Sequence, residues 1–400
     1  MYSIRQNCQL ALRSTNNGCI YATGSRRAFS RTSACSRGAL PVYLESSKPE
    51  LATLLATLNS KILLPRHLTK EQQKLVYKQD QKAKLEAEPI EITLGDVTLP
   101  LEHIDRNHLP TRQKTIADIL KLSEEGASRE DWENVVRMLE GFENAGIRLD
   151  TAKQAMVIRK LFQNGQEHLV LKALQRPKAT GLRMRDWRPL FQILRGVFDQ
   201  PALADWEQVE TENALRLAKQ IVELLEDEEH CGAYPIGEEV SKHDFRGRPG
   251  VIAVPTALAA ALALRHEGDV EEVKKLAGRL VVAMKQHDPY NAFIDDAAVK
   301  FAATESDFNK TWLHVRHATS AINTLQEIIW VSSALRTSLK VLGDNIPHAE
   351  EARQFESKAT KTVDEGCEMV KRLKTRNGKV VLGSMADHAL TMADKARALA

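Results

Sequence analysis

The sequence predicts an all-α protein: a helix-hairpin solenoid followed by a C-terminal helical bundle, with one short β-hairpin near residues 90–101. Three observations carry this reading. Ala, Leu, Glu, Lys and Arg dominate, and these residues lose little on entering a helix. Gly and Pro fall mostly between blocks whose apolar residues recur at helical spacing. A turn sequence, "AGIRLD" at 145–150, returns in outline 35 residues later as "TGLRMR" at 180–185, the spacing of stacked helix hairpins. At 43% apolar and 27% charged, the 400-residue chain has the balance of a folded body, so most of it is not expected to be disordered.

The first 44 residues stand apart. They hold Arg5, Arg13, Arg26, Arg27, Arg31 and Arg37, six serines and no acid before Glu45, the composition of an amphipathic mitochondrial targeting segment. No continuous apolar run marks a secretory signal. Residues 1–36 are therefore read as a presequence and the mature protein as a resident of the mitochondrial matrix. Within the leader, "RRAFSRTS" resembles matrix-protease sites: Arg27 lies two residues before Phe29, and Phe29 and Thr32 suit a second, octapeptide-removing cut.

Removing 1–36 takes away five arginines and no acid, leaving 51 basic against 53 acidic residues. The mature body is thus not a globally basic nucleic-acid binder, and any RNA contact must come from a local patch. The leader also carries Cys8, Cys19 and Cys35; the remaining Cys231 and Cys367 have no spacing that suits a zinc ribbon or a disulfide framework. The longest apolar run, "VIAVPTALAAALAL" at 251–264, is 14 residues long and contains Pro255, so no transmembrane segment is expected.

Taken in order, residues 37–110 form an N-terminal helical arm. Leu51, Leu54, Leu55 and Leu58 make a short stripe, Pro65 interrupts it, and "LTKEQQKLVYKQDQKAKLEAE" reads as one charged, exposed helix. "PIEITLGDVTLPLEHI" at 89–104 alternates around Gly95-Asp96 as a hairpin does. Residues 111–229 hold the helical repeats. One helix runs from Thr111 to Leu122. A second, capped at Ser128 and Asp131, runs to Phe142 and stops at Ala145-Gly146; a third and fourth follow around the Asn164-Gly165 turn. "ADWEQVETENALRLAKQIVELLEDEE" at 204–229 is another amphipathic helix. Residues 230–250 form a Gly/Pro-rich loop, and 251–400 a further hairpin and a bundle. In that hairpin Gly268 is expected to stop one helix and Asp269 to cap the next. The last helices are placed at about 292–303, 310–342, 348–374 and from Ser384.

A 35-residue hairpin ending in Gly, apolar, basic, apolar and charged residues resembles the pentatricopeptide repeat in a divergent form. The match covers 111–185, with weaker echoes beyond. "DWENVVRMLEG" at 131 and "DWRPLFQILRG" at 186 share a frame, but their 55-residue spacing puts them at different hairpin positions. The resemblance implies RNA contact. Where the family presents Asn, Thr or Ser to read a base, this chain has Ala155 and Leu190, which cannot hydrogen-bond a base edge. Contact through RNA shape, or protein docking, is what the resemblance leaves.

Catalytic signatures are absent: there is no GxSxG, P-loop, GxGxxG after a strand, or HExxH. His314 and His317 share a helix without a third ligand, and His230, Cys231, His243 and Asp244 match no zinc-site spacing, so neither a metal nor a cofactor is expected and the protein reads as a non-enzyme. Asp295-Asp296 near His287-Asp288 read as solvated helix-cap residues. The segment 171–195 is more informative. Lys172, Arg176, Lys178, Arg183, Arg185, Arg188 and Arg195 surround Trp187 with one acid, Asp186, a composition that can neutralise phosphates and stack bases. A second basic cluster holds Lys371, Arg372, Lys374, Arg376 and Lys379 at a helix end. The expected partner is the mitochondrial ribosome or mitochondrial RNA; the alternative is a protein-only scaffold or assembly factor for a respiratory-chain complex.

The leader yields a direct test. Terminal sequencing of the protein recovered from mitochondria should place its first residue between Ser30 and Arg37. Recovery of intact residues upstream of Phe29 would remove the presequence reading.

Overall fold

A computed structural model describes residues 39–399 apart from 89, 110, 127, 232–243, 287, 308 and 374–381. The leader 1–36 lies outside the described residues, as do His243, His287, Lys374, Arg376 and Lys379.

Residues 39–47 run extended along the second helix of the first hairpin. Asn134 holds this strand in both directions: its side chain accepts from Leu44 N–H (2.7 Å) and donates to Leu44 C=O (3.1 Å). Asp131, fully buried, accepts from Ser47 N–H (3.1 Å) and hydroxyl (2.5 Å), and Asn59 donates to Pro41 C=O (3.0 Å). Helix α1 (Pro49–Thr57) then runs through a π-helical stretch, Leu58–Leu63, into α2 (Leu64–His67). Pro65 does not interrupt the helix as its sequence suggested. It sits just beyond the π-helical stretch, inside a continuous run of helical residues.

Helix α3 (Lys70–Tyr77) starts at a Thr69/Gln72 capping box, and α4 spans Lys82–Ala87. The single charged helix expected here is broken at Lys78, which is extended at φ −85°, ψ 127°. The hairpin forms as read: β1 (Glu91–Leu94) pairs antiparallel with β2 (Val97–Pro100), Ile92 opposite Leu99, and Gly95 takes φ +65° in the turn.

Three helix hairpins follow: α5 (Arg112–Gly126) with α6 (Arg129–Asn144), α7 (Thr151–Gln163) with α8 (Glu167–Leu174), and, after the single turn α9 (Pro177–Thr180), α10 (Trp187–Leu203) with α11 (Gln208–Leu224). They stack in two layers. Helices α5, α7 and α10 contact in succession on one side, and α6, α8 and α11 on the other. The recurring turn has one physical meaning in both places. Gly146 (φ +65°) and Gly181 (φ +70°) both close a helix in the left-handed conformation. The next residue, Ile147 or Leu182, then drops into the core. Helices α7 and α10 cross closely because Gly196 leaves no Cβ between its backbone and the Phe162 ring. The two Asp-Trp frames indeed fall at different positions, one in the second helix of a hairpin and one at the start of a first helix.

After α12 (Glu228–Cys231), α13 (Pro249–Arg265) is apolar around its whole circumference and lies between α11, its own partner α14 (Val270–Gln286), and the long helix α16 (Thr311–Leu342). At the α13–α14 turn Glu267, not Gly268, takes positive φ (54°), while Asp269 caps α14 by accepting from Glu271 and Glu272 N–H (2.9 and 3.2 Å). Helices α15 (Asp288–Ala302), α17 (Ala349–Arg372) and α18 (Gly383–Leu399) complete the bundle, and α18 returns to pack on both α16 and α10. No described helix is long and apolar enough to cross a membrane.

A buried ion pair ties the start of α13 to α16. Glu327 of α16, with its side chain 2% exposed, accepts both guanidinium arms of Arg248 (2.7 and 2.8 Å), and the same guanidinium lies 3.8 Å over the Trp187 ring. Arg248→Ala strands a buried carboxylate and should destabilise the protein by about 3–5 kcal/mol in denaturant melts, whereas the apolar pair Arg248→Met with Glu327→Leu should recover most of that loss. Equal melts for wild type and Arg248→Ala would contradict it.

Candidate nucleic-acid interface

The basic segment begins on α8, passes through α9 and the loop 181–186, and ends on α10. Its shape follows from burial. Leu182 and Met184 are inserted in the core, so the alternating Arg183 and Arg185 must face outward. Thr180 fixes the start of the loop by donating to Ala173 C=O (2.8 Å). His230 fixes its middle: fully buried, it accepts from Met184 N–H at Nδ1 (3.3 Å) and donates from Nε2 to Leu174 C=O (2.8 Å). That arrangement uses the one donor and one acceptor of a neutral imidazole.

The structure divides the seven cations. Arg176 pairs with Glu140, Lys178 with Glu229 (3.6 Å), and Arg195 with Asp199 (3.2 Å). Arg183 bridges Glu229 (3.2 Å) and Glu143 (3.6 Å), tying the loop to α12 and α6 and holding the Glu229 carboxyl below its usual range. Among the described residues Lys172, Arg185 and Arg188 have no carboxylate partner and are exposed. Trp187 is half-buried. It packs against Phe191 and Phe245 at ring separations of 5.9 and 5.5 Å, and Arg248 covers one face. In the second cluster, Lys371 pairs with Glu368 (2.8 Å), which raises the lysine's pKa, and Arg372 donates to Glu368 C=O (3.2 Å).

The other sequence candidates disperse. His314 is buried on α16 and His317 half-buried, its pKa lowered by burial and then by His314. Asp244 is taken by Arg246 (2.6 Å) and His230 by backbone. Asp295 lies exposed and pairs with Lys358 (2.8 Å).

A further feature lies beside the patch. A cleft of about 880 Å³ opens between α7, α10 and α18, lined among others by Arg159, Gln163, Gln192, Arg195, Ser384 and His388. Its floor is Asp199, 8% exposed, which accepts from Arg195, from His388 Nε2 (2.7 Å) and from Gln326 (3.3 Å). Arg188, Gln192, Arg195 and Asp199 fall at i, i+4, i+7 and i+11 on α10, a polar stripe on a largely apolar helix that was the available signal. The α18 wall carried none.

A family model described as mitochondrial ribosomal protein mS27 matches residues 27–395. The small ribosomal subunit protein mS27 of Neurospora crassa is 24% identical over 333 residues, covering 79% of this chain and 81% of the relative.

Burial lowers the pKa of His230 below its ordinary 6.5. As pH falls below that value the unfolded chain takes up this proton first, so the stability His230 contributes is complete above about pH 6.5 and is lost on acidification. The difference in melting temperature between about pH 7.5 and pH 5.5 should therefore be smaller in His230→Gln than in wild type. An unchanged difference would refute the assignment.

Proposed function

The chain belongs to the mitochondrial ribosomal protein mS27 family, and from that premise we propose that it is a non-enzymatic component of the small mitochondrial ribosomal subunit, resident in the matrix, that serves translation by gripping ribosomal RNA. The observation that carries this reading is the family match across 27–395, nearly the whole body beyond the leader. The basic segment supports RNA as the contacted surface, with a division of labour. The paired Arg176, Lys178, Arg183 and Arg195 shape the loop and its flanks, while the unpaired Lys172, Arg185 and Arg188 neutralise phosphates. Lys371, Arg372, Lys374 and Arg376 are proposed as a secondary RNA contact.

The stacked hairpins and the equivalent left-handed Gly146 and Gly181 favour a pentatricopeptide-like repeat over 111–185. Reading of bases is not part of the proposal. Leu190, at one of the positions where the family reads, is fully buried, so the grip is on backbone and shape. Trp187, covered on one face by Arg248, is assigned to orienting Arg185 and Arg188 around it rather than to free stacking. The family match favours the ribosome over a respiratory-chain scaffold.

Sucrose-gradient sedimentation of the tagged protein from mitochondrial lysate tests this. Wild type should travel with the small subunit and leave it on nuclease treatment. The triple variant Lys172→Glu, Arg185→Glu, Arg188→Glu should dissociate at clearly lower salt, because each lost phosphate contact removes about 0.7–0.9 from the slope of log affinity against log salt. A small nuclease-insensitive particle free of ribosomal RNA would overturn the proposal.

A further inference from the structure

Of the five tryptophans in the chain, four are committed to packing. Trp132, Trp206 and Trp330 are buried, and Trp187 is half-buried with Arg248 over one face. Trp312, in the first turn of α16, is 58% exposed. Among the described residues its indole has no hydrogen-bond partner and no ring or cation against it. Burial would stabilise so large an apolar ring, and here the fold supplies none, which leaves the ring for a ligand.

The surroundings say which ligand. Trp312, Arg316 and Ser320 fall at i, i+4 and i+8 and all three are exposed, so they share the outer stripe of α16, while His314, Ala318 and Ala321 turn to the core. The stripe therefore continues from the ring as a cation and a hydroxyl, the combination that meets a base and its phosphate. Arg316 and the preceding Lys310 are exposed and have no carboxylate partner among the described residues. Net charge does not make this site: from 300 to 317, Lys300, Lys310 and Arg316 stand against Glu305 and Asp307, the latter engaged by Thr304 N–H (2.6 Å) and hydroxyl (3.0 Å). The exposed ring is its principal feature.

A run of ring and cation contacts joins this place to the basic segment. The Arg248 guanidinium over Trp187 also lies 5.5 Å from the Phe293 ring of α15, and the Lys300 ammonium lies 5.7 Å from that same ring. Lys300 is in turn near His317, the neighbour of Arg316; burial lowers the His317 pKa, and His314 and Lys300 lower it further. The start of α16 thus adjoins the surface that carries Arg185 and Arg188.

We propose that Trp312 is a stacking platform for an unpaired base of RNA, with Arg316 on the adjoining phosphate. The assignment rests on the RNA-gripping reading above and adds to it an aromatic contact that tolerates any base, since every base has a face to stack.

The test uses the purified mature full chain and a twelve-nucleotide oligoadenylate, fluorescein-labelled for anisotropy across a salt series and unlabelled for tryptophan emission. The oligonucleotide should quench wild-type emission. Trp312→Ala should bind about tenfold more weakly at every salt concentration with an unchanged salt slope, because stacking releases no counterion, whereas Arg316→Gln should lose about 0.7 from that slope. Trp312→Phe should keep most of the affinity and lose most of the quenching. The ring is exposed, so these variants should melt like wild type. Unchanged affinity in Trp312→Ala, while Lys172→Glu with Arg185→Glu and Arg188→Glu weakens binding, would overturn the platform and leave the RNA-gripping reading standing. Unchanged affinity in every variant would overturn both. Trp312→Ala that binds the oligonucleotide like wild type yet leaves the small subunit in a sucrose gradient would assign the ring to a protein neighbour and overturn the RNA occupant.

Discussion

Glu327 is the constraint from which much of the architecture follows. A buried carboxylate on the longest described helix must be neutralised, and Arg248 does so through both arms. The geometry of that pair then fixes three elements at once. Arg248 ends the 230–250 loop, so the loop's described end is docked on α16. Its guanidinium plane covers Trp187, so the first residue of α10 is positioned from the other side of the core. Gly250 lies two residues on, and a Cβ there would lie 2.6 Å from Glu327, so the chain needs a residue without one. At its far end α10 is clamped again, by Asp199 to His388 of α18 and Gln326 of α16. The basic patch and the cleft lie along a helix held by charge at both ends.

Charge pairing also separates residues that build the surface from residues that use it. Exposed ion pairs such as Lys178 with Glu229 contribute about 0–1 kcal/mol and mainly choose side-chain positions. The buried His230 and the inserted Leu182 and Met184 set the loop's path, leaving Arg185 nowhere to turn but outward. With 51 basic and 53 acidic residues beyond position 36, the body has no long-range attraction for RNA. The RNA contact proposed above therefore rests on a few cations whose charge is not already spent inside the protein.

Much of the fold was legible because it is written locally. The Ser128 cap, the left-handed glycines at 146, 165 and 181, and the Gly95-Asp96 turn each act within a few residues, and each forms. The misreadings came where tertiary packing overrides local preference. Pro65 is absorbed after a π-helical stretch, Lys78 opens a continuous charged pattern, and Glu267 takes the strained conformation beside a glycine that packs against the Leu262–Ala263 backbone. The exposed half of the basic patch could be named from composition, but its division into paired and unpaired cations could not. Glu229 reaches Arg183 across 46 residues, and His388 reaches Asp199 across 189.

A stack of helix hairpins exposes an apolar face at each end, and the way this chain covers those faces bears on the contact proposed for it. At one end the strand 39–47 and α1 lie over α5 and α6. At the other, α13 and the long α16 seal the stack, and α18 folds back against α10 instead of extending the layers. A longer array would present an open groove, with each hairpin offering another equivalent position to a strand. Here the returning helix turns the groove into a cleft a few residues from its entrance and fills the base-reading position at Leu190 with core. Such a surface can hold a short stretch of backbone in one place but has no register along which to read a sequence. That is what the proposed role, a fixed place on a folded RNA, requires.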